Sequence, residues 1–375
     1  MRRRDVLVVG GGPAGSTLAR QLVRAGLAVA VLDKRDFPRD KTCAGWITPA
    51  VVKSLELDLA DYARARVLQP IRRFRIARLG DRPVENDHGP EPASYGIRRF
   101  EFDEYLLRRS GAELLTGVAV ERIERRGSEW VLNGEFAAPL IVGAGGHFCP
   151  VARLLGAEVG RGEPAVGAQE FEVEMTPPEA AASPVRGDTP QLYFSPDLAG
   201  YAWIFRKGNW LNVGIGRLGA HKVSEHFDHF VEQMLRDGML PQRLARLRRK
   251  GHAYLLYTDA ARPLLADGAL LVGDAAGLAY PESGEGIRTA VESALLAART
   301  VRDCRGDYSA PRLASYARAI ESRYGARRRE AADGPALAGP LKQLAAALLL
   351  RRRWFTREIV TRRWFLHEHV PPLSA

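Results

Sequence analysis

The 375-residue sequence predicts an α/β protein: a parallel-sheet domain assembled from two stretches of chain, an antiparallel-sheet domain inserted between them, and a helical C-terminal region. Three observations predict it. Short β-branched or aliphatic runs, the pattern of strands buried on both faces, occur at 5–9, 28–32, 140–142 and 269–272, and three of them run into glycine-rich turns. From about Gly156 to Arg262 the helical pattern gives way to short alternating runs such as Gln191-Leu192-Tyr193-Phe194. After Ser309 the chain reads as helical and basic. The expected boundaries are 1–155 and 263–308 for the two parts of the first domain, 156–262 for the insert and 309–375 for the C-terminal region.

Composition narrows the class. At 46% hydrophobic and 26% charged the chain reads as globular, and no apolar run approaches the ~20 residues that span a bilayer. Met1-Arg2-Arg3-Arg4 resembles the start of a signal peptide, but the apolar run behind it stops at Gly10, too early for one. Three cysteines (Cys43, Cys149 and Cys304) are too few and too scattered for a disulfide framework or a metal site. A reducing, cytoplasmic setting is expected. The net charge of +11 suits an acidic partner. No nucleic-acid motif accompanies it, so nucleic acid is not expected.

The N-terminus carries the strongest signal. Asp5-Val6-Leu7-Val8-Val9 leads into Gly10-Gly11-Gly12-Pro13-Ala14-Gly15, where Gly10, Gly12 and Gly15 fit G-x-G-x-x-G. A helix with Leu18, Leu22 and Val23 on one face follows, then a second strand that ends at Asp33-Lys34. Gly10 permits a tight turn, Gly12 lets a pyrophosphate reach the backbone, and Gly15 lets helix and strand approach. Pro13 suits the first helical turn, whose free N–H groups and partial positive charge attract phosphate. Asp33 stands at the spacing of a ribose acceptor.

The far end adds a strand, Ala269–Val272, that runs into Gly273-Asp274. Pro281-Glu282-Ser283-Gly284-Glu285-Gly286-Ile287 then opens a helix with Val291, Ala294, Leu295 and Ala298 on one side. Between the two ends lie Arg99-Phe100-Glu101-Phe102-Asp103, with Arg98 a rival to Arg99, and a strand running into Gly143-Ala144-Gly145-Gly146. Together these segments resemble the flavoprotein superfamily that includes p-hydroxybenzoate hydroxylase, flavin-dependent halogenases and geranylgeranyl reductases. The resemblance implies a Rossmann-like FAD-binding domain. It places Asp274 on the ribityl chain, the helix at Gly284, Gly286 and Ile287 against the flavin pyrimidine, and Arg99 on the cofactor. Gly145 stands where this superfamily commonly has Asp. No second dinucleotide fingerprint is present, so the reductant stays open among NAD(P)H, reduced ferredoxin and a flavin.

The insert separates the subfamilies. Tyr201-Ala202-Trp203-Ile204-Phe205 alternates, so Tyr201, Trp203 and Phe205 share one strand face. Lys207-Gly208-Asn209 reads as a hairpin turn before a return strand containing Gly214 and Gly216. This stretch resembles the Y-x-W-x-F-P…G-x-G signature of the geranylgeranyl reductase family, with Arg206 in place of Pro. The resemblance implies an aromatic face that binds an apolar, prenyl-like substrate. Read from the residues alone, three aromatics on one face are equally sheet core.

Lys41-Thr42-Cys43-Ala44-Gly45-Trp46 also fits that family, with Ala44 at a usual Gly. Cys43 and Gly45 are placed beside the flavin, and Cys43 reads as a proton donor, a flavin contact or an inert small hydrophobe. In the tail ten Lys and Arg, from Arg327 to Arg363 and including Arg328 and Arg329, face four acids, Glu330, Asp333, Glu358 and Glu368. With Leu341–Leu350 and two Trp-Phe pairs, the tail fits a cap on the substrate domain or a peripheral helix on anionic membrane. The expected activity is reduction of a carbon–carbon double bond. An oxygen-using hydroxylase, less readily a halogenase, and a catalytically silent flavin- or lipid-binding module are the alternatives.

Overall fold

The computed structural model describes residues 1–160, 163–219, 222–327 and 339–374; Arg328, Arg329, Glu330 and Asp333 of the basic tail lie outside them. Strands Leu265–Ala266, Ala269–Leu271, Leu140–Gly143, Val6–Val9, Val29–Asp33 and Glu113–Thr116 form one sheet in that spatial order. All its pairings are parallel except the outermost, between Leu265–Ala266 and Ala269–Leu271. Every residue from Val6 to Val9 is buried, as an aliphatic strand covered on both faces requires. Helix Pro13–Arg24 packs on helix Ile287–Cys304, and buried Ala14, Ala19, Ala290 and Ala294 leave room for the approach. Helix Ala310–Tyr324 closes the domain through Leu313, Tyr316 and Ile320, with the Tyr316 hydroxyl donating to the Leu271 carbonyl at 2.8 Å.

The second sheet has seven strands, in the order Lys250–Leu255, Ala165–Glu174, Trp210–Leu218, Gly200–Lys207, Gln191–Phe194, Arg73–Arg78 and Val84–Asp87. The insert supplies five of them. The other two come from before residue 155, and Gln191–Phe194 pairs parallel to Arg73–Arg78, so the sheet is mixed rather than wholly antiparallel. Alternation in Arg73-Phe74-Arg75-Ile76, whose apolar members are buried, is the reason those residues join it. The Lys207–Asn209 hairpin forms as expected, Lys207 opposite Trp210.

Both faces of this sheet are covered. Ala202 and Ile204 enter a core beneath helix Val223–Arg236, while Trp203 and Phe205 enter a second core with Trp46, Phe74 and Ile76. The C-terminal tail covers this second core. It forms helix Gly339–Leu349 and then a wider helix, Phe355–Phe365, in which bonds reach back five residues, as from Leu366 N–H to the Thr361 carbonyl at 2.8 Å. Leu350, Val360, Phe365 and Leu366 are buried against the aromatic face.

Candidate cofactor and substrate site

The turns that follow strands Val6–Val9, Leu140–Gly143 and Ala269–Leu271 meet at the carboxyl edge of the parallel sheet, where open α/β sheets bind ligands. Gly10 takes φ +114°, open to glycine alone, and a Cβ there would lie 2.4 Å from the Ala144 carbonyl oxygen. A Cβ on Gly15 would lie 1.9 Å from the Gly10 oxygen. Gly12 differs: a Cβ there would meet only Arg39 Nη2, at 3.5 Å. Helix Pro13–Arg24 starts with neither a side-chain cap nor an acid in its first turn. Free N–H groups over an open glycine, with a guanidinium beside them, suit a pyrophosphate. Asp33 accepts from Gly11 N–H at 2.8 Å and Arg35 N–H at 2.9 Å, while Lys34 is exposed on the surface.

A cluster of charge lies under this turn. Asp103, fully buried, takes both oxygens of a bidentate pair with Arg99 at 2.6 and 2.7 Å and sits 3.1 Å from Arg39. Burial works against the Arg99 cation, but Asp103 outweighs it and keeps the guanidinium charged. Arg98, the rival, turns away to Glu101 and Glu172. Sequence reasoning missed Arg39; the basic stretch Arg35–Lys41 was the available signal.

Asp274 anchors the other half. Its carboxylate lies 3.4 Å from His252 Nε2; burial opposes ionisation, yet His252 and Lys41 hold the group down to about 2. Burial in turn lowers Lys41 to about 8 against the pull of Asp274. A Cβ on Gly286 would lie 3.1 Å from Asp274 Oδ1, and one on Gly284 would lie 2.3 Å from the Tyr254 hydroxyl. His252 and Tyr254 thus reach the site from one face of strand Lys250–Leu255, a contribution that an H-x-Y alternation announces only weakly. Helix Ile287–Cys304 begins at Gly286, but its first turn is not open: Glu285 Oε1 accepts from Arg288 N–H at 2.6 Å. Burial pushes Glu285 up to about 7.

Gly145 lies against Cys149. Two residues on, His147 is buried with Nδ1 3.1 Å from Arg262, which pairs with Glu163 at 2.6 and 2.7 Å. Burial and the Arg262 charge lower His147 to about 4, so it is neutral at pH 7.

The aromatic face adjoins this site. Tyr201 donates its hydroxyl to the Ser283 carbonyl at 2.6 Å, which ties the face to the Pro281–Gly286 turn. Trp203, 5% exposed, donates to Asn212 Oδ1 at 2.7 Å, and a Cβ on Gly214 would lie 2.2 Å from its ring. Phe205 is buried against Trp46. Asn212 also donates to the Cys43 carbonyl at 3.2 Å and to Glu170 at 3.0 Å, while a Cβ on Gly45 would meet Lys207 Nζ at 2.3 Å. The Cys43–Gly45 loop is therefore seated on the polar end of the aromatic strand pair.

An uncapped helix over an open glycine, a half-buried aspartate just after a parallel strand, and an apolar wall tied to the Pro281–Gly286 turn define a dinucleotide-type redox site. The description "FAD binding domain" belongs to the family model that matches residues 3–324. Menaquinone reductase of Mycobacterium tuberculosis is 32% identical over 326 residues, 78% of this chain and 75% of that protein. Geranylgeranyl diphosphate reductase of Rhodobacter capsulatus is 31% identical over 303 residues, 76% of this chain and 71% of that one. Among solved structures, a geranylgeranyl bacteriochlorophyll reductase-like protein of Thermoplasma acidophilum superposes with a TM-score of 0.71 at 22% identity, over 93% of this chain and 88% of that one. The flavin-dependent halogenase CmlS shares the fold at a TM-score of 0.63 and 23% identity, over 86% of this chain and 63% of that one. The chain belongs to this FAD-binding family, in its geranylgeranyl reductase-like branch, and is an FAD-dependent oxidoreductase.

Proposed function

We propose that this oxidoreductase reduces a carbon–carbon double bond of an apolar, isoprenoid-like substrate lying on the Tyr201, Trp203 and Phe205 face. The observation that carries the reading is the Tyr201–Ser283 hydrogen bond, which makes the apolar wall continuous with the turn that would hold the flavin. Relatives named for reducing menaquinone and geranylgeranyl diphosphate support it.

Gly10, Gly12, Pro13, Ala14 and Gly15, with Arg39, would hold the pyrophosphate, and Asp33 the ribose. Asp274 would take the ribityl hydroxyls, while Gly284, Gly286 and Ile287 would meet the pyrimidine edge. Arg99 and Gly145 would support the cofactor from below, and Gly273 and Pro281 would shape its turns. FAD, when bound and reduced, supplies a hydride equivalent. An isolated alkene is a poor acceptor, so a proton must reach its other carbon almost together with hydride. Candidates to deliver it are the Tyr254 hydroxyl, which lies against Gly284, and the thiol of Cys43, whose own carbonyl accepts from Asn212 at the end of the aromatic strand pair. Burial raises Tyr254 well above its ordinary range, which keeps its proton in place until a developing carbanion draws it. Trp203 and Phe205 are buried among Trp46, Phe74 and Leu366, which keeps water off this face.

The test is anaerobic. Protein with reduced FAD is mixed with prenyl substrates and with aromatic ones, and flavin absorbance is followed. Reoxidation by a prenyl substrate without oxygen supports the reductase. Reoxidation only after oxygen is admitted, with a hydroxylated product, replaces it with a monooxygenase, a chemistry the fold shared with a flavin-dependent halogenase keeps open.

A further inference from the structure

Helix Gly339–Leu349 turns an apolar row outward. At 100° per residue Leu341, Leu344 and Leu348 fall within an arc of about 60°, and they are 56%, 59% and 56% exposed. Trp354 extends the surface at 64% exposed. Leu350, on the opposite side, is buried in the aromatic cluster and fastens the end of the helix. A surface helix of a globular protein ordinarily turns its leucines inward, so an outward row marks an interaction surface.

The charge around the row identifies the partner. From Gly339 to Trp354 there are four cationic residues, Lys342, Arg351, Arg352 and Arg353, and no acid. Arg351 is held by Asp81 at 2.9 Å. Arg352 and Arg353 are exposed and make no ion pair among the described residues. A second copy of the chain would set this positive cluster against itself, whereas an anionic lipid surface meets both the leucines and the arginines.

We infer that this face docks on an anionic lipid bilayer, with Leu341, Leu344, Leu348 and Trp354 in the boundary between headgroups and acyl chains and Arg352 and Arg353 on lipid phosphates. Eleven helical residues span about 16 Å, roughly half of a bilayer's ~30 Å hydrocarbon core. No described helix is long and apolar enough to cross a membrane. The helix therefore lies in the interface plane. After five intervening residues begins Phe355–Phe365, which covers the aromatic face, so a docked protein holds that cover at the membrane. Docking stands on these observations alone; that the bilayer is the source of the substrate rests on the proposed function.

The full chain, loaded with FAD, is sedimented with vesicles of phosphatidylcholine alone or with phosphatidylglycerol added, at about 0.05 and 0.5 M salt, conditions that span strong and weak screening. Wild type is expected to bind the anionic vesicles at least tenfold more tightly than neutral ones and to lose most of that preference at high salt. Combining Leu341→Ser, Leu344→Ser and Leu348→Ser should weaken binding at least tenfold, and combining Arg352→Glu with Arg353→Glu should abolish the anionic preference. Both variants should keep wild-type FAD content and melting temperature, since none of these side chains is buried. Wild type that ignores anionic vesicles, or a leucine variant that binds them as wild type does, overturns the inference. So does gel filtration showing a dimer that only the leucine variant disperses, because the occupant is then a second copy. A protein that docks yet reduces no prenyl substrate keeps the docking and loses the functional reading.

Discussion

Phe365 lies flat against Trp46, ring centroids 5.6 Å apart and planes 8° apart, so a residue ten positions from the C-terminus covers one from the short strand Trp46–Ile47 that follows the Cys43–Gly45 loop. Tyr201 and Phe194 meet the same Phe365 ring edge-on at 5.2 and 6.3 Å. Phe365 is 2% exposed, and Phe365→Ala should cost about 3–5 kcal/mol of stability, the range for deleting a buried ring. Its FAD content should be unchanged, because its ring packs on Trp46, Phe194 and Tyr201. Urea unfolding with an unaltered slope and a lower midpoint is the expected record; an unmoved midpoint would mean that the tail does not close this face in solution.

Gly12 and Gly15 should answer substitution differently although they share one motif. Gly12→Val finds open space beside Arg39, so the protein should fold and melt near the wild-type apo temperature. It should lose FAD affinity by a factor of 100 or more, on the order of 3 kcal/mol. Gly15→Ala drives a methyl to within 1.9 Å of the Gly10 oxygen and should destabilise the apoprotein itself. Apo melting curves and FAD titrations on both variants separate the roles. A Gly12→Val protein that retains full FAD would remove the pyrophosphate from this turn.

Four strands of the parallel domain were legible because each is a continuous aliphatic run, three of them ending on glycine, and burial on both faces leaves no other use for such a run. Glu113–Thr116 and Leu265–Ala266 carry no such run. Helix Ile287–Cys304 was legible from the helical spacing of Val291, Ala294, Leu295 and Ala298 behind Gly286. Arg73–Arg78 was passed over because its arginines mask a period of two, and its partner Gln191–Phe194 lies more than 100 residues away. Arg39 and His252 come beside Gly12 and Asp274 through chain reversals that the basic stretch Arg35–Lys41 and the H-x-Y alternation announce only weakly. The tail gave two readings, cap and membrane helix. In the structure Phe355–Phe365 covers the aromatic face, while Gly339–Leu349 presents its leucines outward, and its membrane contact is inferred from that exposure.

Stability should fall with rising pH through one buried carboxyl. Glu170 is 4% exposed, and burial pushes it from an ordinary 4.5 up to about 7, against the pull of Lys207 and a hydrogen bond from Asn212. The folded state then holds this proton more tightly than the unfolded state does. The stabilisation is complete below pH 4.5 and is lost as pH rises through 7, by about 3 kcal/mol at most. Glu170→Gln keeps an acceptor for Asn212 and removes the titration. The variant should match wild type within about 0.5 kcal/mol at pH 5 and exceed it by about 1–3 kcal/mol at pH 8. Urea midpoints at the two pH values check it, and an equal difference at both would assign the proton elsewhere.

The shape of the apolar wall should be adjustable from behind. Gly214 lies under the Trp203 ring, where a methyl would sit 2.2 Å from Cζ2, while the indole N–H is tied to Asn212 at 2.7 Å. Gly214→Ala must therefore tilt the ring outward or break that bond. Overpacking of this kind costs about 1–3 kcal/mol of stability, less than a ring deletion. If the wall binds substrate, the tilted indole should also weaken a long prenyl substrate about tenfold, the equivalent of ~1.4 kcal/mol, with FAD content unchanged. Trp203→Ala is the harsher companion. It removes the ring and strands Asn212 Oδ1, so a stability loss of about 3–5 kcal/mol is expected whether or not substrate ever touches the wall. Gly214→Ala is the discriminating variant, because it keeps every aromatic ring of the wall and changes only the setting of Trp203. Prenyl-substrate affinity that stays at the wild-type value in folded Gly214→Ala protein, with the melting temperature lowered as expected, would leave Tyr201, Trp203 and Phe205 as sheet core and move the substrate site off this face.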